Sequence, residues 1–154
     1  EQIADEKKDL GSIVDAQQNF KFIIANYPNS DFALDAEYKI ELITEILASK
    51  EMYLAKYYIE KEKWIPAINR YKNVIEKYDT TIYVEEALHR LVEIHYKIGL
   101  IEESKKYANL LGYNYQSSEW YKKSYKVFNQ DYSSKIQKPI KDKTGVLDKF
   151  KKLF

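Results

Sequence analysis

The sequence predicts an all-α chain of antiparallel helix pairs, on three observations. Apolar residues recur at spacings of three and four along most of the chain, which is the signature of one buried helix face. The 154 residues include only four Gly and three Pro, so the regular elements must be long. A small residue followed by an aromatic four later and an apolar residue three after that occurs more than once, which implies repeated units. No segment shows the strict alternation of a strand.

The first helix is predicted over Ile13 to Tyr27, where Ile13, Ala16, Phe20, Ile23, Ile24 and Tyr27 share a face, with Ser12 as N-cap and Pro28 closing the segment. From Asp31 to Lys61 there is no Gly or Pro, and Ala36, Ile40, Ile43, Leu47, Leu54, Ala55 and Tyr58 keep the helical period. That reads as one helix of roughly 30 residues, well beyond the mean of about 11–12. A break near Ala48-Ser49-Lys50 is the alternative. The next helix starts near Trp64, with Pro66 tolerated because its missing N–H falls in the first turn. It ends at Tyr78-Asp79-Thr80-Thr81, and Thr80 or Thr81 is expected to cap a helix running to about Lys97, which Gly99 stops. A helix from Ile101 is expected to stop at Gly112. The last follows Ser117-Ser118 and covers Trp120 to Phe128, with Glu119 favouring its positive end.

Composition removes several classes of function. There is no Cys, so disulfides, thiolate catalysis and Cys-type zinc sites are excluded. The net charge is +1, which is no electrostatic footprint for nucleic acid. No stretch approaches the roughly 18 apolar residues of a membrane span. Fifteen Tyr suit half-buried seams and groove rims, since the ring is apolar and the tip polar. No Gly-rich phosphate loop, nucleophile elbow or zinc-helix motif is present. The chain is not expected to be an enzyme or to carry a cofactor or metal. It opens Glu1-Gln2-Ile3 without Met, as expected of a processed product or an excised fragment.

The repeats match the second helix of the tetratricopeptide (TPR) motif. Ala16, Phe20, Ile23 and Pro28 fit all four of its positions; Ala67, Tyr71 and Val74 fit three; Ser104, Ala108 and Leu111 fit more loosely. Ala67 to Ser104 is a step of 37 residues, near the expected period of about 34. Ala16 to Ala67 is a step of 51. The excess falls inside the unbroken run from Asp31 to Lys61 and implies a repeat with a greatly extended first helix. The fold class is therefore a TPR-like α-α superhelix of antiparallel pairs with one extended helix. Residues 1–130 form the repeat domain, and 131–154 a Lys-rich linker with a short amphipathic C-terminal helix.

Several segments together resemble the C-terminal portion of the BamD family, TPR lipoproteins of the bacterial β-barrel assembly complex. They are Ala16-Gln17-Gln18-Asn19-Phe20 with Tyr27-Pro28-Asn29-Ser30, the extended helix, and Ala55-Lys56-Tyr57-Tyr58 leading to Trp64 and Ala67-Ile68-Asn69-Arg70. Leu111-Gly112-Tyr113-Asn114-Tyr115 and Ser118-Glu119-Trp120-Tyr121 resemble α-proteobacterial versions. The resemblance covers roughly Asp5 to Asn129 and departs at Asp79 and Gln116, where the family has Pro. It implies a protein on the periplasmic face of the outer membrane of a Gram-negative bacterium. Membrane contact would come through an upstream lipid anchor, with this chain starting in a middle repeat. The partners implied are the periplasmic POTRA domain of BamA nearest its barrel, other subunits of the complex, and unfolded outer-membrane proteins.

The same resemblance places the BamA contact on Arg70, with Asn69, Trp64, Lys61 and Lys63 as further partner-binding candidates. Arg suits such a role because its planar fork pairs bidentately with a carboxylate. The plainer roles are a solvent-facing Arg70 beside Glu62 or Glu76, Trp64 as a packing anchor at the elbow, and solvated Lys61 and Lys63. A generic TPR adaptor taking a peptide or other periplasmic partner in its concave groove is the alternative function. His89 lies four residues from both Glu85 and Glu93, which suits helix-surface ion pairing; a zinc site would need a third converging ligand. The tail from Asp131 onward carries seven Lys and three Asp. Leu147, Phe150 and Phe154 share a face there, for a membrane surface, a partner groove, or a cap on the exposed end of the helix stack.

Overall fold

The computed structural model describes residues 11–128, and every described element is a helix. There are six: α1 (Gly11–Asn26), α2 (Asp31–Glu60), α3 (Trp64–Lys77), α4 (Val84–Lys97), α5 (Ile101–Asn114) and α6 (Glu119–Phe128). The all-α, TPR-like class is as the sequence implies. The Lys-rich segment 131–154 lies outside the described residues. Two compact units divide between Ala87 and Leu88.

In the first unit, α1 and α3 both pack on α2. The 30 residues of α2 make a rod about 45 Å long, with no break at Ala48-Ser49-Lys50. Ser30 starts it: the Oγ accepts from the Ala33 N–H at 3.2 Å and donates to the Tyr27 carbonyl at 2.7 Å. Ala33, Ala36, Ile43, Leu47, Ala48 and Ala55 form its buried stripe, and four of these six are alanines that let neighbouring backbones approach. Cross-helix contacts give the register. Lys39 sits over the Phe20 ring of α1 at 5.6 Å, and Glu51 bonds to Arg70 and Asn73 of α3. The first half of α2 thus serves α1 and the second half serves α3. That is the physical meaning of the 51-residue step: one helix long enough to be the partner of two.

In α3, Ala67, Ile68, Tyr71 and Val74 are buried at helical spacing, so the repeat signature is the core face itself. α1, by contrast, buries none of its side chains fully. Two capping expectations are corrected here. Ser12 lies inside α1. α4 opens only at Val84, and Thr81 uses its hydroxyl to donate back to the Tyr78 carbonyl at 2.7 Å, so neither Thr80 nor Thr81 is the cap. Glu85 and Glu86 in the first turn and Lys97 in the last of α4 complement its dipole.

In the second unit, α4 ends in a Schellman motif: Gly99 has φ +84°, its N–H reaches the Tyr96 carbonyl, and the Leu100 N–H reaches that of His95 at 2.8 Å. α5 does not stop at Gly112 as the sequence suggested; it continues to Asn114. Gly112 is there for another reason, because a Cβ at that position would run into the Tyr121 ring of α6. Ser118 accepts from the Trp120 N–H at 3.1 Å and starts α6. Leu88, Leu91, Val92, Ile94, Ala108 and Leu111 are buried. Two serines are fully buried with them, each satisfied. Ser104 donates to the Val92 carbonyl at 2.7 Å, and Ser124 Oγ lies 2.9 Å from His89 Nδ1.

Candidate protein-binding site

The residues singled out by sequence cluster around the turn from α2 to α3. That turn is built tightly. The Lys63 N–H returns to the Tyr58 carbonyl at 2.8 Å and the Glu62 N–H to the Ile59 carbonyl at 2.9 Å, the same double closure seen at Gly99. Here the left-handed position is held by Glu62, at φ +54°. The geometry commits the chain to reverse within three residues and brings the first turns of α3 beside the last turns of α2.

Arg70 lies on the half-buried flank of α3. Its Nη1 donates to both Glu51 oxygens, at 3.1 and 3.3 Å, and Asn73 Nδ2 donates to the same carboxylate at 3.2 Å. The partner is therefore Glu51, on the preceding helix, and not Glu62 or Glu76. The Glu51 side chain is 16% exposed and that of Arg70 37%, so the carboxylate is the inner member and the guanidinium the outer one. Among the described residues only Nη1 is engaged. The rest of the fork is held at fixed orientation with donors to spare. The nearby Tyr78 phenol is pushed up by burial and then by the Glu51 charge.

Arg70 and Asn69 open, with Tyr58, Ile65, Pro66 and Asn73, onto a cleft of about 340 Å³. Ile65 is 64% exposed, an apolar side chain beside a preset cation. Lys61 and Lys63 are exposed in the adjoining turn, and Lys61 Nζ lies 5.9 Å from the Tyr57 ring centroid. Trp64 does not line the cleft; it is half-buried at the start of the face that carries Ile68 and Tyr71. The structure thus gathers Arg70 and Asn69 into one cleft, with Lys61 and Lys63 exposed in the adjoining turn and Trp64 half-buried outside its lining. Sequence reasoning missed Glu51, Asn73 and Ile65. Only the pairing of α2 with α3 brings Glu51 to Arg70.

His89 departs from its expected role on the helix surface. It is 3% exposed, with Nε2 3.4 Å from Glu93 and the ring tilted against Trp120 at 5.2 Å. The hydrogen bond from His89 is the chief cause that lowers the Glu93 carboxyl to about 2, with Arg90 assisting. His95 is likewise buried, its Nδ1 2.7 Å from the Leu91 carbonyl. No group of three potential metal ligands occurs among the described residues. None of their helices is long and apolar enough to cross a membrane.

With this geometry in place, similarity to known proteins is informative. Residues 1–111 match the YfiO family, described as an outer membrane lipoprotein. The chain is 40% identical over 125 residues to the outer membrane protein assembly factor BamD of Rickettsia prowazekii, covering 81% of this chain and 50% of that protein. It is 37% identical over 141 residues to BamD of Caulobacter vibrioides, covering 92% of this chain and 46% of that one. BamD of Neisseria gonorrhoeae is 37% identical over 83 residues, 54% of this chain and 31% of the relative. The chain spans about half the length of the first two relatives.

Proposed function

The chain belongs to the YfiO family of outer membrane lipoproteins, and from that premise we propose that it is a non-catalytic scaffold of outer-membrane protein assembly. It binds the periplasmic POTRA domain of BamA nearest the barrel, through the α2–α3 cleft. The relatives' name, outer membrane protein assembly factor, supports the process. The observation that supports the surface is the Glu51–Arg70 pair. A cation partly exposed, preset by an inner carboxylate and bordered by exposed Ile65 is the combination from which binding hot spots are made.

The mechanism is positioning. Glu51, itself held by Asn73, removes rotamer freedom from Arg70 before the partner arrives, so less is lost on binding. The remaining guanidinium donors take a partner carboxylate, Ile65 supplies apolar contact, and Lys61 and Lys63 steer the approach. Anchoring at the periplasmic face of the outer membrane through an upstream lipid, and contact with other assembly subunits and unfolded outer-membrane proteins, complete the reading. Titration of the chain with isolated BamA POTRA domains tests it: binding is expected, and it should be lost in Arg70→Glu. A folded chain that does not bind would favour a generic TPR adaptor instead.

A further inference from the structure

A second surface, independent of the Arg70 cleft and within the other unit, carries chemistry that the reading above does not use. α4 and α6 enclose an open cleft of about 390 Å³ lined by His89, Arg90, Glu93, Trp120, Lys123 and Lys126, among others. Its floor is rigid. His89 is buried and bonded to the fully buried Ser124, and the Trp120 ring rests on it at 5.2 Å. The indole therefore has a fixed orientation, unlike an aromatic on a free helix surface.

Around that ring the charge is positive. Lys123 Nζ lies 4.0 Å from the indole centroid and the Arg90 guanidinium 5.6 Å. Among the described residues Glu93 is the one acid lining the cleft, and it is taken by Arg90 at 2.8 Å and His89 at 3.4 Å. On α6, Lys122 is bound by Glu119 at 2.6 Å, whereas Lys123 and Lys126 are exposed and have no ion pair among the described residues. Among the described residues the cleft thus presents two exposed ammonium groups with no direct ion pair, within longer electrostatic reach of the Glu119 carboxylate, beside a half-buried aromatic ring, in a chain whose net charge is only +1.

The geometry points to a docking site for an acidic segment of a partner protein, its carboxylates on Lys123 and Lys126 and an adjoining side chain stacked at Trp120. Two lysines cooperate where carboxylates arrive on one flexible strand, and a preset indole offers contact area at little entropic cost. A membrane surface fits less well. The indole is half-buried and carries Lys123 Nζ at 4.0 Å from its centroid, where interfacial aromatics sit at the headgroup level, and two lysines supply only about 1 kcal/mol each toward anionic lipid.

The test uses the whole chain, which has two Trp and hence two indole N–H signals in an ¹⁵N spectrum, the Trp120 signal assigned by its loss in Trp120→Phe. Addition of a blocked hexaglutamate peptide should shift the Trp120 signal saturably and leave that of Trp64 in place. The Lys123→Glu/Lys126→Glu double variant should weaken that binding by at least about tenfold, as loss of close charge complementarity does. Reversal of Lys105 and Lys106, exposed on α5 and paired to Glu102 and Glu103, should leave it unchanged. Three results overturn the proposal: no shift at Trp120, equal weakening by both double variants, or a Trp120 shift with phosphatidylglycerol vesicles and none with the peptide. Circular dichroism of each variant establishes that the helices are intact. Lys123→Gln, which removes charge without reversing it, should give an intermediate affinity; an affinity equal to that of the unchanged chain overturns the proposal as well.

Discussion

Gly112 of α5 lies so close to the Tyr121 ring of α6 that a methyl group at residue 112 would overlap the ring. The ring has little room to retreat, being half-buried and set edge-on to Tyr125 with centroids 4.7 Å apart. Overpacking of this kind costs roughly 1–3 kcal/mol, against about 1 kcal/mol gained by replacing a mid-helix glycine with alanine. Gly112→Ala should therefore destabilise the chain by about 1 kcal/mol in urea unfolding. In a Tyr121→Ala background the same change should become stabilising, because the clash is gone and the propensity gain remains. An equal effect in both backgrounds contradicts the close approach.

The two Schellman closures make opposite predictions. Glu62 holds a left-handed conformation at φ +54° and Gly99 one at φ +84°. A side chain there costs roughly 1–2 kcal/mol. Glu62→Gly should raise stability by about 0.5–1 kcal/mol, and Gly99→Ala should lower it by about 1–2 kcal/mol. Thermal melts of the two variants check both signs.

The buried Ser124–His89 bond predicts that Ser124→Ala costs about 1–3 kcal/mol, since an imidazole nitrogen is left unsatisfied in the interior. Threonine in its place keeps the hydroxyl but adds a methyl in a fully buried position and should also destabilise. Equilibrium unfolding distinguishes a bond of this value from a surface hydroxyl, for which neither substitution would register.

Two carboxylates set opposing pH dependences. The Glu93 carboxyl is lowered to about 2 by His89 and Arg90. Its contribution is therefore fully present above the ordinary carboxylate range and is lost as pH falls through the window from about 4.5 to about 2. Glu45 is raised by burial, opposed by its bond from the Ile82 N–H, and its Oε2 is buried with no partner among the described residues. Its effect runs the other way: stability is greatest below the unfolded value and falls as pH rises through the folded one. At neutral pH Glu93→Gln should lower the melting temperature and Glu45→Gln should raise it by a few degrees at most. Both differences should shrink on acidification toward pH 3.

How much of this was legible in the sequence follows from how local each feature is. The long α2 was readable because a run without Gly or Pro and with a sustained helical period has one reading. The 51-residue step implied its extension, but its double service to α1 and α3 shows only in the packing. Gly112 was misread because a glycine at a helix stop and one under a neighbouring ring look alike until Tyr121 is placed. His89 was expected on the surface because its local partners are acids. What buries it is α6, and Ser124 is 35 residues away. Arg70 stands out in the sequence only through resemblance, and its setting is not legible there, since Glu51, 19 residues earlier, reaches it only through the pairing of α2 with α3. Local patterns gave the helices, while side-chain partners depended on which helices met.

We propose above that Arg70, preset by Glu51, is the partner-binding residue of this chain. Calorimetric titration with the isolated BamA POTRA domain nearest the barrel tests it most directly. Saturable binding is expected, weakened in Arg70→Glu by about 2–5 kcal/mol, the range for losing one member of a buried charge pair. Glu51→Gln should weaken it by a smaller amount, because the guanidinium survives but loses its preset orientation. Unchanged affinity in Arg70→Glu, with helical content intact, would rule out Arg70 as the binding residue.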